Sequence, residues 1–127
     1  VEYYFVYGTL KRGFGNCKRV FGESKTAEYI KDVETEPKFT MISLWAFPGV
    51  IPGGETAIKG ELWKVSDART KANLDSLEGY GGEGVASNLY NKDVIKIDDK
   101  DVNIYIYNIR DREINKEQIV ESGNWKY

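Results

Sequence analysis

Histidine is absent from this 127-residue chain, and cysteine occurs once, at Cys17. The first absence excludes every Ser–His, Cys–His and histidine–metal arrangement supplied by the chain alone. The second excludes an internal disulfide and a thiolate metal cluster. Proton transfer near neutral pH would then fall to an Asp or Glu with a raised pKa, or less commonly to a Lys or Tyr with a lowered one. No apolar run approaches the length needed to cross a bilayer. The opening Val1-Glu2-Tyr3 lacks the charged-then-apolar layout of a secretion signal, so the cytoplasm is the expected compartment. Neither sign of charge dominates: 18 Lys and Arg face 20 Asp and Glu, a net charge of −2. That balance offers no electrostatic basis for binding nucleic acid or an anionic membrane. Repeats, low-complexity tracts and linkers are lacking too, and Gly8-x4-Gly13 is without the Lys-Ser/Thr of a phosphate-binding loop. One domain, 1–127, is expected.

What is present begins with Tyr3-Tyr4-Phe5-Val6-Tyr7, apolar or aromatic without alternation, which reads as a strand buried on both faces. It meets Gly8 and a loop, 8–16, that holds three glycines. Backbone amides freed at such a strand end suit a carboxylate or an oxyanion, although a plain glycine-rich turn has the same composition. Lys11, Arg12, Lys18 and Arg19 form either solvated surface or a rim that attracts anions. A short helical turn is expected near Asn16–Phe21, with Cys17 as a small filler, since no histidine is there to activate it.

Strand signals follow at Thr26–Val33 and Phe39–Trp45, and the Ala46–Gly54 stretch with its two prolines reads as a long, stiff connecting loop. Ala57–Val65 alternates, with Ile58, Gly60 and Leu62 on one side and Glu61, Trp63 and Val65 on the other. Gly60 there predicts a bulge or a close backbone approach. Ser66-Asp67 caps a helix running to about Glu78, where Gly79 ends it, and Thr70, Leu74 and Leu77 share a face. Glu78 falls at the edge of that stripe, and Asp75 is turned further towards solvent. Partial burial and the negative end of the helix dipole both push the Glu78 pKa upward. The glycine-dense 79–84 loop reads as a lid or as an ordinary loop. Strands are expected from Tyr90 to Ile97 and from Val102 to Ile109, with a polar turn between them. A short amphipathic helix is expected over 113–121, and Trp125 and Tyr127 are placed to pin the tail.

Three ordered stretches carry a family resemblance. YFVYGTLKRGFGN at the start resembles the N-terminal signature of the γ-glutamylcyclotransferase-like family, in the small branch that includes γ-glutamylamine cyclotransferases. LWAFPGVIPGG (44–54) resembles that family's Pro-Gly loop, and LDSLEGY (74–80) its helix end with the catalytic glutamate. The resemblance implies an α+β fold: a small mixed-strand β-barrel or strongly curved sheet flanked by short helices. It implies Glu78 as general acid/base, with Tyr7, Gly8, Thr9, Leu10, Phe47, Pro48, Gly49, Tyr90 and Tyr105 (or Tyr107 in its place) around the substrate. The implied reaction closes a γ-glutamyl group to 5-oxoproline and releases an amine or amino acid, with no metal and no organic cofactor. The expected partner is a small γ-glutamyl molecule, with no nucleic acid or membrane, on a monomer or weak homodimer. Where the family commonly follows its tyrosine with arginines, this chain has Asn91 and Lys92. Lysine lacks the bidentate clasp of a guanidinium. A pocket-bearing module that binds a small molecule or peptide without turning it over is therefore the alternative, and a scaffold for interactions is a third.

Overall fold

The computed structural model describes residues 2–8, 11, 27–44, 47–85, 87–109 and 113–125. Thr9, Leu10, Arg12, the turn expected near Asn16–Phe21 with Cys17, and Tyr127 lie outside them. The first strand, β1 (Glu2–Val6), is the middle of a five-stranded sheet in the order β2-β5-β1-β7-β6. It runs antiparallel to β5 (Lys59–Val65) and parallel to β7 (Lys100–Tyr107). Alternate residues of β1 enter two cores. Tyr4 and Val6 join Trp63, Val65, Leu74, Tyr90, Tyr105 and Tyr107 on one face. Phe5 and Tyr7 join Met41, Val50, Ile58, Leu62, Val102, Ile104 and Trp125 on the other. A strand covered on both sides has no polar face to show, hence the unbroken aromatic run.

The edges are β2 (Ala27–Glu34), paired with β5, and β6 (Tyr90–Ile97), paired with β7. Tight turn geometry joins β6 to β7, with both Asp98 and Asp99 in the left-handed region. Among the described residues the sheet is mixed and open, so the curved-sheet form of the expected fold holds and the barrel is not closed. Gly60 marks a close approach: a Cβ there would strike the Val6 carbonyl oxygen and the Phe5 ring. The register shift lies elsewhere, in β2 between Tyr29 and Lys31.

Two expectations need correction. Pro48–Pro52, read as loop, is a strand, β4, paired antiparallel with β3 (Phe39–Ser43) in a separate two-stranded sheet. Its prolines stand at its two ends, where a missing donor does least harm. The helix expected over 113–121 is a single 3-10 turn, Lys116–Gln118, with no buried residue, too short an apolar face to support more.

The described residues hold one α-helix, α1 (Ala68–Leu77). Asp67 caps its start by accepting from the Thr70 amide at 3.1 Å. Thr70 and Leu74 are buried, as their spacing predicts. A Schellman motif ends it: the Gly79 amide donates to Ser76 and the Tyr80 amide to Asp75, with Gly79 at φ +63°. Glu78 is thereby held at the C-cap, its own amide bonded to the Leu74 carbonyl at 3.0 Å.

Candidate active site

Glu78 projects from the end of α1 into a group of phenols. Burial drives its pKa up to about 7. Tyr7, Tyr90 and Tyr105 are each raised, chiefly by burial, and in all three the Glu78 carboxyl adds to the rise. The acid and the three tyrosines therefore share one enclosed electrostatic neighbourhood, fed by β1, β6, β7 and α1. Residue 78 as a whole keeps some exposure, but water is largely excluded around its carboxyl.

Each of the three phenols has already placed its proton. Tyr7 donates to the Tyr105 carbonyl at 2.6 Å, Tyr90 to the Pro48 carbonyl at 2.5 Å, and Tyr105 to Asp75 Oδ1 at 2.6 Å. A phenol that has given its one proton has only lone pairs left to offer. The Tyr7 oxygen also accepts from the Val50 amide, so Tyr90 and Tyr105 are the phenols left to offer lone pairs beside Glu78.

Gly8 and the β3–β4 hairpin close on this group. A Cβ on Gly8 would lie 2.9 Å from the Pro48 ring, and one on Gly49 would lie 2.8 Å from Tyr107 Cβ. The two glycines let the end of β1, the start of β4 and the β7 tyrosines pack backbone to ring. Just beyond, the Lys11 amide donates to the Gly8 carbonyl at 3.0 Å. Lys11 itself is half-buried, donating to Asn124 Oδ1 at 3.2 Å and to the Trp125 carbonyl.

Of the residues singled out in the sequence, Glu78, Tyr7, Tyr90 and Tyr105 come together. Gly8, Pro48 and Gly49 pack beside them. Phe47 lies at the surface, 36% exposed, with its carbonyl accepting from the Leu44 amide. Thr9 and Leu10 fall outside the described residues. Asp75, assigned towards solvent by its helical angle, instead faces β6 and β7, where Tyr105 and Lys92 hold it. The three-residue step from Asp75 to Glu78 was the available signal, since it sets both carboxyls on neighbouring parts of one face.

Two hollows are lined by described residues, neither of them including Glu78 or the three phenols. One of about 500 Å³ is bounded by Lys11, Asp32, Glu34, Lys59 and Glu61 among others. The second, about 320 Å³, sits against Tyr80, Val85, Asn91 and Lys92. No group of three or more His, Cys, Asp or Glu able to hold a metal occurs among the described residues. No described helix is long and apolar enough to cross a membrane.

The family described as gamma-glutamyl cyclotransferase, AIG2-like, matches residues 4–127. Protein MJ1514 of Methanocaldococcus jannaschii, whose name assigns it to the gamma-glutamylcyclotransferases only provisionally, is 35% identical over 81 residues. That match spans 63% of this chain and 63% of the relative, under two-thirds of its length. The solution structure of protein ytfP from Escherichia coli superposes with a TM-score of 0.62 at 27% identity, over 97% of this chain and 95% of that one. The uncharacterised protein PH0828 from Pyrococcus horikoshii shares the fold at a TM-score of 0.71 and 16% identity, covering 98% and 89%.

Proposed function

The chain belongs to the gamma-glutamyl cyclotransferase, AIG2-like family, and on that premise we propose that it cyclises a γ-glutamyl group to 5-oxoproline, releasing an amine or amino acid, with Glu78 as the proton carrier. The observation that carries the reading is the Glu78 carboxyl, lifted to about 7 by burial, among tyrosines at the end of β1. A carboxyl poised near neutrality accepts and returns a proton with little penalty in either direction.

In this scheme the α-amine of the substrate, as the neutral NH2 form, attacks its own γ-carbonyl carbon and gives one proton to the Glu78 carboxylate, forming the ring C–N bond. The tetrahedral centre then collapses, the original γ-amide C–N bond breaks, and the departing amine takes the proton back from Glu78. No redox partner or co-reactant enters. Both reacting groups belong to one molecule, so the ring closure is already intramolecular and the protein's share is to hold the folded conformer in which amine and carbonyl meet. The committed phenols favour this assignment of the site, because lone pairs from Tyr90 and Tyr105 suit the N–H groups of the substrate amine. The backbone amides of Gly8, Thr9 and Leu10 are the candidates for the oxyanion.

Incubation with a panel of γ-glutamyl amino acids and γ-glutamyl amines, followed by assay of 5-oxoproline, tests the proposal. Glu78→Gln is expected to lower kcat by about 10²- to 10⁴-fold. Wild-type turnover in that variant removes Glu78 from the mechanism. Saturable binding by the native protein with no turnover across the panel supports a binding module instead.

A further inference from the structure

Nothing among the described residues hydrogen-bonds to the Glu78 carboxyl, so its position is inherited from the turn that bears it. Packing of Leu74 and the Schellman motif hold the inner side of that turn. The outer side is held by Asp75. Its Oδ1 accepts from Tyr105 on β7 at 2.6 Å and stands 2.9 Å from Lys92 Nζ on β6, while its Oδ2 lies 3.2 Å from the same ammonium. Lys92 is itself enclosed, 20% exposed, with its ammonium 5.1 Å from the Tyr80 ring centre, 5.7 Å from that of Tyr4 and 6.0 Å from that of Tyr105. One carboxylate thus ties the last turn of α1 to two adjacent strands. A helix end with no such tie frays.

We propose that Asp75 and Lys92 are positioning residues that dock the C-terminal turn of α1 onto β6 and β7 and so aim Glu78 into the tyrosine group. The inference rests on Glu78 being the proton carrier. It also gives Lys92 a task distinct from clasping a substrate carboxylate, because its charge is already spent on Asp75 and three rings.

For Lys92, charge and position predict opposite signs, which makes that substitution the sharp test. Among the described residues, the titratable groups facing Glu78 are Tyr7, Tyr90 and Tyr105, with Asp75 one turn back and Lys92 behind it. If Lys92 acted on Glu78 only through its charge, Lys92→Met would raise the Glu78 titration midpoint. If it docks the turn, the same substitution admits water and lowers the midpoint towards that of an ordinary glutamate.

The measurement is the pH titration of the Glu78 carboxyl carbon by NMR in the intact protein, alongside kcat and KM on a γ-glutamyl substrate. Lys92→Met and Asp75→Asn are each expected to lower the midpoint by about one pH unit and kcat by roughly tenfold, with KM moving less. Lys92→Arg, which keeps the ion pair, is expected to restore both. Should Asp75→Asn fail to fold, Tyr105→Phe removes one bond of the same dock while keeping the ring, and the same downward shift is expected. A midpoint that rises or stays in place in Lys92→Met overturns the proposal. A native protein that turns over no γ-glutamyl compound while the midpoint still falls in Lys92→Met sinks the cyclotransferase reading and leaves the dock standing.

Discussion

Glu78 makes a prediction about stability as well as rate. Its folded-state pKa, about 7, lies above the ordinary 4.5. Between those values the native protein holds a proton that the unfolded chain has released, so stability falls as pH rises through that window. The contribution is fully present below about pH 4.5 and lost above about pH 7. The shift corresponds to about 3 kcal/mol. Urea unfolding of Glu78→Gln and of the native protein at pH 4.5 and pH 8 is expected to show the variant gaining by that order at the higher pH. A difference that stays constant with pH contradicts the burial argument. This residue was legible in the sequence because helix register, capping glycine and family motif all converged on it. Asp75 was not, because the helical angle alone sends it outward. Its burial depends on Tyr105 and Lys92, which reach it from strands many residues further along.

At the scale of elements, the glycine-dense segment after α1 is stitched down by one side chain. Asn88, 2% exposed, accepts from the Gly81 amide at 2.7 Å and donates to the Gly82 carbonyl at 2.9 Å and to Asn91 Oδ1 at 3.1 Å. Its own carbonyl accepts from Asn108 Nδ2 at 2.8 Å. Glycines at 79, 82 and 84 take positive φ, the left-handed backbone that these turns require. Asn88→Ala would remove the three hydrogen bonds that its buried side chain makes to Gly81, Gly82 and Asn91, and a loss of about 1–2 kcal/mol is expected in urea unfolding. Faster hydrogen exchange at the Gly81 amide should accompany it, and a loop already free in the native protein would show neither change. The strands β1, β5, β6 and β7 were readable because their apolar patterns are set locally by which faces are covered. Strand β4 was hidden by its prolines, since residue type argued for a loop and only pairing with β3 argues for a strand. The 113–121 segment carried the opposite hazard: its helical spacing exists, but the single 3-10 turn has no buried residue to reward a longer helix.

The whole molecule depends on contacts that no local pattern announces. β1 divides the interior into two cores, and the C-terminal segment completes the one away from α1. The Val120 amide donates to the Met41 carbonyl at 2.8 Å, and Ile119 bridges to Ile42. Further on, the Lys59 amide donates to the Gly123 carbonyl at 2.7 Å, and Lys11 reaches Asn124 and the Trp125 carbonyl. The tail thus touches β3, β5 and the turn after β1 together, closing loops over most of the chain. A buried indole at its end makes those closures worthwhile, because Trp125 is 5% exposed among Phe5, Ile58, Leu62 and Ile104. Removing it by Trp125→Ala is expected to cost about 3–5 kcal/mol in urea unfolding, with the transition still cooperative. Tyr90, Tyr105 and Leu74 belong to the opposite core, so the folded fraction of that variant should keep the native Glu78 titration midpoint. Tyr7 is the one phenol of the site that shares the core of Trp125. A displaced midpoint in Trp125→Ala would therefore mean that strain crosses β1 through Tyr7, and that the two cores act on the site as one body.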